Sequence, residues 1–124
     1  MKTMQEVDYF LKILMQAEKV LKDFNELSKK KPNDAVNRFK LSFVNTILEQ
    51  SNSILDKDNK PFNSFNTFSE DDVPTNSDVV LILSQYLGCL KKYGRENTRH
   101  ESFDDYWVIN GKISNIIADL NKLR

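Results

Sequence analysis

The stretch from Ser77 to Gly94, SDVVLILSQYLGCLKKYG, decides how the rest of the chain is read, because Val79 through Leu83 are five consecutive apolar residues. Such a run fits a buried β-strand or a buried helix equally well. Its continuation separates the two. Val79, Ile82, Leu83, Tyr86, Leu87, Leu90 and Tyr93 recur at intervals of three and four, over about four helical turns at 3.6 residues each. Val80, Leu81 and Cys89 widen the apolar face, so this helix is expected to sit at the centre, apolar on every side from Val79 to Leu83. Ser77 offers an N-cap oxygen, Asp78 suits the positive end of the helix dipole, Lys91 and Lys92 suit the negative end, and Gly94 closes the helix.

Outward from that centre, Val7, Phe10, Leu14, Ala17, Leu21 and Phe24 keep a heptad spacing from residue 5 to 28, ended by Lys29, Lys30, Lys31 and Pro32. The repeat implies an antiparallel neighbour within a bundle, with a homodimeric coiled coil as the alternative. Asn33 or Asp34 can cap a second helix, 34 to 55, with a stripe of Val36, Phe39, Phe43, Ile47 and Ile54. Ser102, with Asp105 three residues on, reads as a shortened capping box for a last helix over 103 to 123. Its stripe is Phe103, Tyr106, Ile109, Ile113, Ile116, Leu120 and Leu123. Gly111 inside it costs about 1 kcal/mol relative to alanine, which implies a kink or a close helix neighbour. Trp107 lies beside the stripe, as a core edge or an interface anchor. The expected fold is therefore all-α: one domain over residues 1 to 124, an antiparallel four-helix bundle with helices at 5–28, 34–55, 78–93 and 103–123.

Composition narrows the function. Eighteen basic residues balance eighteen acidic ones, so no global field holds a polyanion or a membrane surface, and electrostatic recognition has to be local. No apolar run approaches the roughly 20 residues of a membrane span. Lys2, Glu6 and Asp8 interrupt the opening segment where a signal peptide is apolar, and the single cysteine cannot form an internal disulfide; a cytoplasmic protein is expected. Cys89 and His100 alone cannot supply the ligand cluster of a zinc site, and Asp56, Asp58 and Glu70 to Asp72 lack calcium-loop spacing. Neither metal nor cofactor is expected, and Cys89 reads as a small buried hydrophobe.

Between the second and third helices lies DKDNKPFNSFNTFSEDDVPTN, residues 56 to 76. Loops this long are uncommon in compact domains and often carry function. Phe62, Phe65 and Phe68 either fasten the loop to the bundle or join Glu70, Asp71 and Asp72 in an exposed acidic, aromatic surface for a basic partner. Arg95 and His100 form an R-x4-H spacing that resembles the element of the HEPN ribonucleases. That resemblance implies metal-independent RNA cleavage, with histidine moving protons and arginine stabilising phosphorane charge.

In size, helicity and possession of an acidic loop, the whole chain resembles the small all-helical immunity proteins that bacteria pair with polymorphic or contact-dependent toxins. The resemblance implies a non-enzymatic protein, without catalytic residues, that covers a toxin's active site. Against a nuclease toxin, Glu70, Asp71 and Asp72 would meet a basic groove with Phe68 or a neighbouring ring as anchor. The partner expected on this reading is a protein, with no role for membrane or nucleic acid.

Overall fold

The computed structural model describes residues 1–124 and corrects the fold class. Three helices are followed by a three-stranded antiparallel sheet: α1 (Met4–Lys30), α2 (Arg38–Ile54), α3 (Asn76–Glu96), β1 (Thr98–Glu101), β2 (Asp104–Ile109) and β3 (Lys112–Ile117). Single 3₁₀ turns lie at Glu70–Asp72 and Leu120–Leu123. The fold is mixed α and β. The expected all-α bundle and its fourth helix over 103–123 do not exist.

The reason is local. Tyr106, Trp107, Val108 and Ile109 are four consecutive strand formers, and Asn110-Gly111 follows with φ of 54° and 76°. Two adjacent positive φ values mark a type I′ turn, which matches strand twist and favours Asn-Gly. Gly111 is thus a hairpin residue and neither a kink nor a helix contact. Ser102 is not an N-cap either; with φ 58° it opens the two-residue turn joining β1 to β2, where Glu101 pairs with Asp104. Register slips between Tyr106↔Ile117 and Val108↔Ile113. Ser114 settles this bulge by donating to the Trp107 carbonyl (2.6 Å) and accepting from the Ile116 N–H (3.1 Å).

The helices hold closer to expectation, with shifted ends. Thr3 caps α1 and Asn37, not Asn33 or Asp34, caps α2 through the Lys40 N–H at 2.8 Å. Thr75 and Asp78 form a full capping box for α3. Gly94 does not end α3. It is buried three residues short of the cap, Asn97, and faces Leu123 and Phe10 so closely that a Cβ there would lie 2.6 Å from Leu123 Cδ2. Nor is α3 covered all round, since Leu81 faces solvent while Val79, Leu83, Tyr86 and Leu90 are buried.

Asn76 at the start of α3 bonds to the Lys31 carbonyl at the end of α1, and Tyr93 near its end stacks on Phe10 near the start of α1. These helices are therefore antiparallel. Along the α1/α2 contact, Val20, Phe24 and Leu27 lie near Lys40 and Phe43, whereas Glu6 and Tyr9 lie near Ser53 and Ile54. That pair is antiparallel too, so α2 and α3 run parallel. The chain between them must return the full length of α2, about 25 Å at 1.5 Å per residue. The long segment from Leu55 to Thr75 is this return.

One core of Val7, Phe10, Ile13, Leu14, Val44, Leu48, Val79, Leu83, Tyr86 and Leu90 joins the helices, and Trp107, Ala118 and Leu123 attach the C-terminal region to it. Trp107 sits edge-on to Phe10 with centroids 5.9 Å apart. It is a buried anchor. Asn97 makes the corner from helix to sheet, its carbonyl accepting from the Val108 N–H at 2.7 Å and its side-chain Nδ2 donating to the Tyr93 carbonyl.

Candidate interaction surfaces

The returning segment is strapped to α2 by paired amides. Asn45 accepts from the Phe68 N–H and donates to the Phe68 carbonyl, both at 2.9 Å, and Asn52 donates to the Asn66 carbonyl at 2.9 Å. Tyr86, buried on α3, donates its hydroxyl to Asn52 Oδ1 at 2.7 Å. Burial pushes its phenol above the usual range, and nearby Cys89 adds to the rise, while the Asn52 hydrogen bond opposes both. Phe62, Phe65 and Phe68 stack edge to face at 6.2 and 5.1 Å and are partly buried against the core. Spaced by three, they act as fasteners along the strap. The acids that follow face solvent: Glu70 pairs with Arg38 at 3.3 Å, while Asp71 and Asp72 make no ion pair. Val73 then adopts left-handed backbone (φ 46°, ψ 60°), a costly conformation for a β-branched residue. The sequence-derived site is thus split. Its rings are partly buried against the core, and its acids form an exposed turn.

The combination sought there occurs instead on the β1–β2 hairpin. Phe103 at its tip is 96% exposed, between Glu101 and Asp104, both exposed. Asp105 on the same hairpin accepts a hydrogen bond from His100 Nδ1 at 3.1 Å. The two-residue turn sets the backbone of the tip, from which Phe103 projects into solvent. Behind the tip, the pairs Tyr106↔Ile117 and Val108↔Ile113 place four large side chains on one face of the sheet, opposite Trp107. Ile117 is 62% exposed, so this outer face is partly open. Sequence reasoning did not point to this hairpin surface because Phe103 was assigned to a buried helix stripe. The available signal was Asn110-Gly111 after a run of strand formers.

Within one chain, Arg95 and His100 have separate partners. Arg95, in the last turn of α3, gives its guanidinium to the Leu123 carbonyl, and His100 lies on β1 against Asp105. Cys89 is partly buried, and burial raises its thiol above the ordinary range despite the opposing charge of Lys92. No three His, Cys, Asp or Glu side chains gather where they could hold a metal ion. No helix is long and apolar enough to cross a membrane.

No protein-family model, no curated protein and no solved structure matches this chain.

Proposed function

We propose that the chain is a non-enzymatic protein-binding module that presents the β1–β2 hairpin tip to a basic partner. One observation carries this reading: a fully projecting phenylalanine, Phe103, in a two-residue turn closed by Glu101 and Asp104. A ring of this kind can fill a pocket as the central anchor of an interface, while rim carboxylates steer a basic partner and set its register. Exposing it to water has no folding benefit, since its removal from water would stabilise the chain by about 1.5–3 kcal/mol.

The more specific form of the proposal is an immunity or antitoxin protein that neutralises a bacterial toxin, of which a nuclease with a basic groove is the best fit. The likeness to all-helical immunity proteins is reduced to size and to local acidic surface, because the chain from Thr98 to Ile117 is a sheet. The exposed acids at Asp71 and Asp72 offer a second surface of the same charge, though without an uncommitted ring beside them.

The test is capture from lysate of the source cell using the tagged protein and the triple variant Glu101→Lys, Phe103→Ala, Asp104→Lys. A basic protein retained at fixed stoichiometry by the first and lost by the second is the expected result. For the toxin form, co-expression restores growth to cells producing that captured protein; restored growth with the triple variant contradicts it. Cleavage of mixed RNA by the protein alone, lost in His100→Ala, would replace the binding reading with the ribonuclease one.

A further inference from the structure

Two of the grooves between helices are at least partly covered. The strap with its three rings runs beside α2 and α3, and the Leu120–Leu123 turn with the sheet closes over α1 and α3. On the outer side of α1 and α2, by contrast, two adjoining depressions of about 360 and 190 Å³ share Val20 and Phe43. Phe43 lines both depressions, and Phe39 beside them meets its ring edge to face at 4.9 Å; the two are 54% and 71% exposed, although an apolar pair of this kind would normally be packed. Lys12, Lys19 and Lys40 line this groove, against one carboxylate, Asp23, and none of the four is in an ion pair. Gln50 in its wall keeps a buried Oε1 without a hydrogen-bond donor.

This groove and the hairpin tip are complementary. One is aromatic and basic, the other aromatic and acidic, with Glu101, Asp104 and the paired Asp105 outweighing Arg99. A chain with no net charge therefore carries two opposite local surfaces. We propose that the chain self-associates, the Phe103 tip of one copy entering the Phe39/Phe43 groove of a second between Lys12, Lys19 and Lys40. Reciprocal exchange closes a two-fold dimer, whereas one-way insertion propagates into a chain of copies. A hairpin tip buries less than the roughly 800 Å² per partner of a standard stable interface, so association is weak unless it is reciprocal. Since the same tip serves the proposed partner, self-association and partner binding exclude one another. The inference itself needs no partner.

Sedimentation equilibrium on the untagged protein from about 10 μM to 1 mM tests it, that range being where a sub-standard interface associates. The expected mass rises toward the dimer with concentration and falls back when salt is raised, because the charges sit at an exposed rim. Lys19→Glu with Lys40→Glu weakens association at least about tenfold, and so does Glu101→Lys with Asp104→Lys; combining all four changes restores it by exchanging the charges. All four positions, Lys19, Lys40, Glu101 and Asp104, face solvent, and an unchanged circular dichroism spectrum shows that each variant folds. A monomer at every concentration overturns the proposal, as does a dimer insensitive to either pair or a fourfold variant that fails to recover. The groove variant still captures the basic partner, which separates failure here from failure of the partner reading.

Discussion

Gly88 and Gly94 lie six residues apart on α3 and respond to alanine in opposite directions. A Cβ at Gly88 meets nothing within 4 Å, so Gly88→Ala gains the helix preference and raises stability by about 0.5–1 kcal/mol. At Gly94 a Cβ would meet Leu123 at 2.6 Å and Phe10 at 2.9 Å. The ring of Phe10 is itself held by Tyr93 and Trp107 and has little room to yield. Overpacking of about 1–3 kcal/mol outweighs the same helix gain, and Gly94→Ala lowers stability by about 1 kcal/mol. Urea unfolding of the two variants checks both signs. Equal gains would mean that the Leu123 turn does not rest on α3 as described.

Tyr86 and Tyr93 set another residue-level expectation. Both phenols are raised chiefly by burial, Tyr93 further by Glu6 and Asp56. A group whose folded pKa is raised contributes stability that is present below its unfolded value, about 10 for tyrosine, and lost as pH rises through the folded value. The thermal midpoint should therefore fall on going above about pH 10, more steeply than in the Tyr93→Phe variant. A fall of the same steepness in that variant would show that Tyr93 ionises without cost.

Among the elements, the strap is the one whose order depends on few contacts. Asn45 supplies both hydrogen bonds that hold Phe68. Asn45→Ala should cost about 1–3 kcal/mol, since it leaves main-chain groups at a part-buried site without partners. Amide exchange should quicken from Phe65 to Val73 while that of α1 and the sheet scales only with global stability. Uniform acceleration across the molecule would mean that the strap unfolds only with the core.

The three helices were legible in sequence because their apolar residues keep one period over 17 or more positions. The last element was not, and for a definite reason. Phe103, Tyr106, Ile109, Ile113, Ile116, Leu120 and Leu123 fall at steps of three and four, yet they belong to two turns and two strands. A helical spacing of that length arose by chance from a short meander, and the turn chemistry of Asn110-Gly111 outweighs it. The strap was legible as a loop with candidate anchors. Which rings are committed and which is free depends on strand pairing, so the sequence led to Phe68 where the structure exposes Phe103.

For the molecule as a whole, parallel α2 and α3 explain both the long return segment and the division of surfaces. The strap protects one side of the helices and the sheet caps another, which leaves the acidic tip and the basic groove as the two opposed faces. The central claim is that the tip, and not the acidic turn of the strap, meets the partner. Calorimetric titration of the captured partner with two variants decides it: Phe103→Ala with Asp104→Lys against Glu70→Lys with Asp71→Lys and Asp72→Lys. The tip variant should lose at least about tenfold in affinity, as loss of a buried aromatic anchor does, and the strap variant should remain within about threefold. Unchanged binding by the tip variant, with loss in the strap variant, would contradict the account and return the interface to Glu70, Asp71 and Asp72.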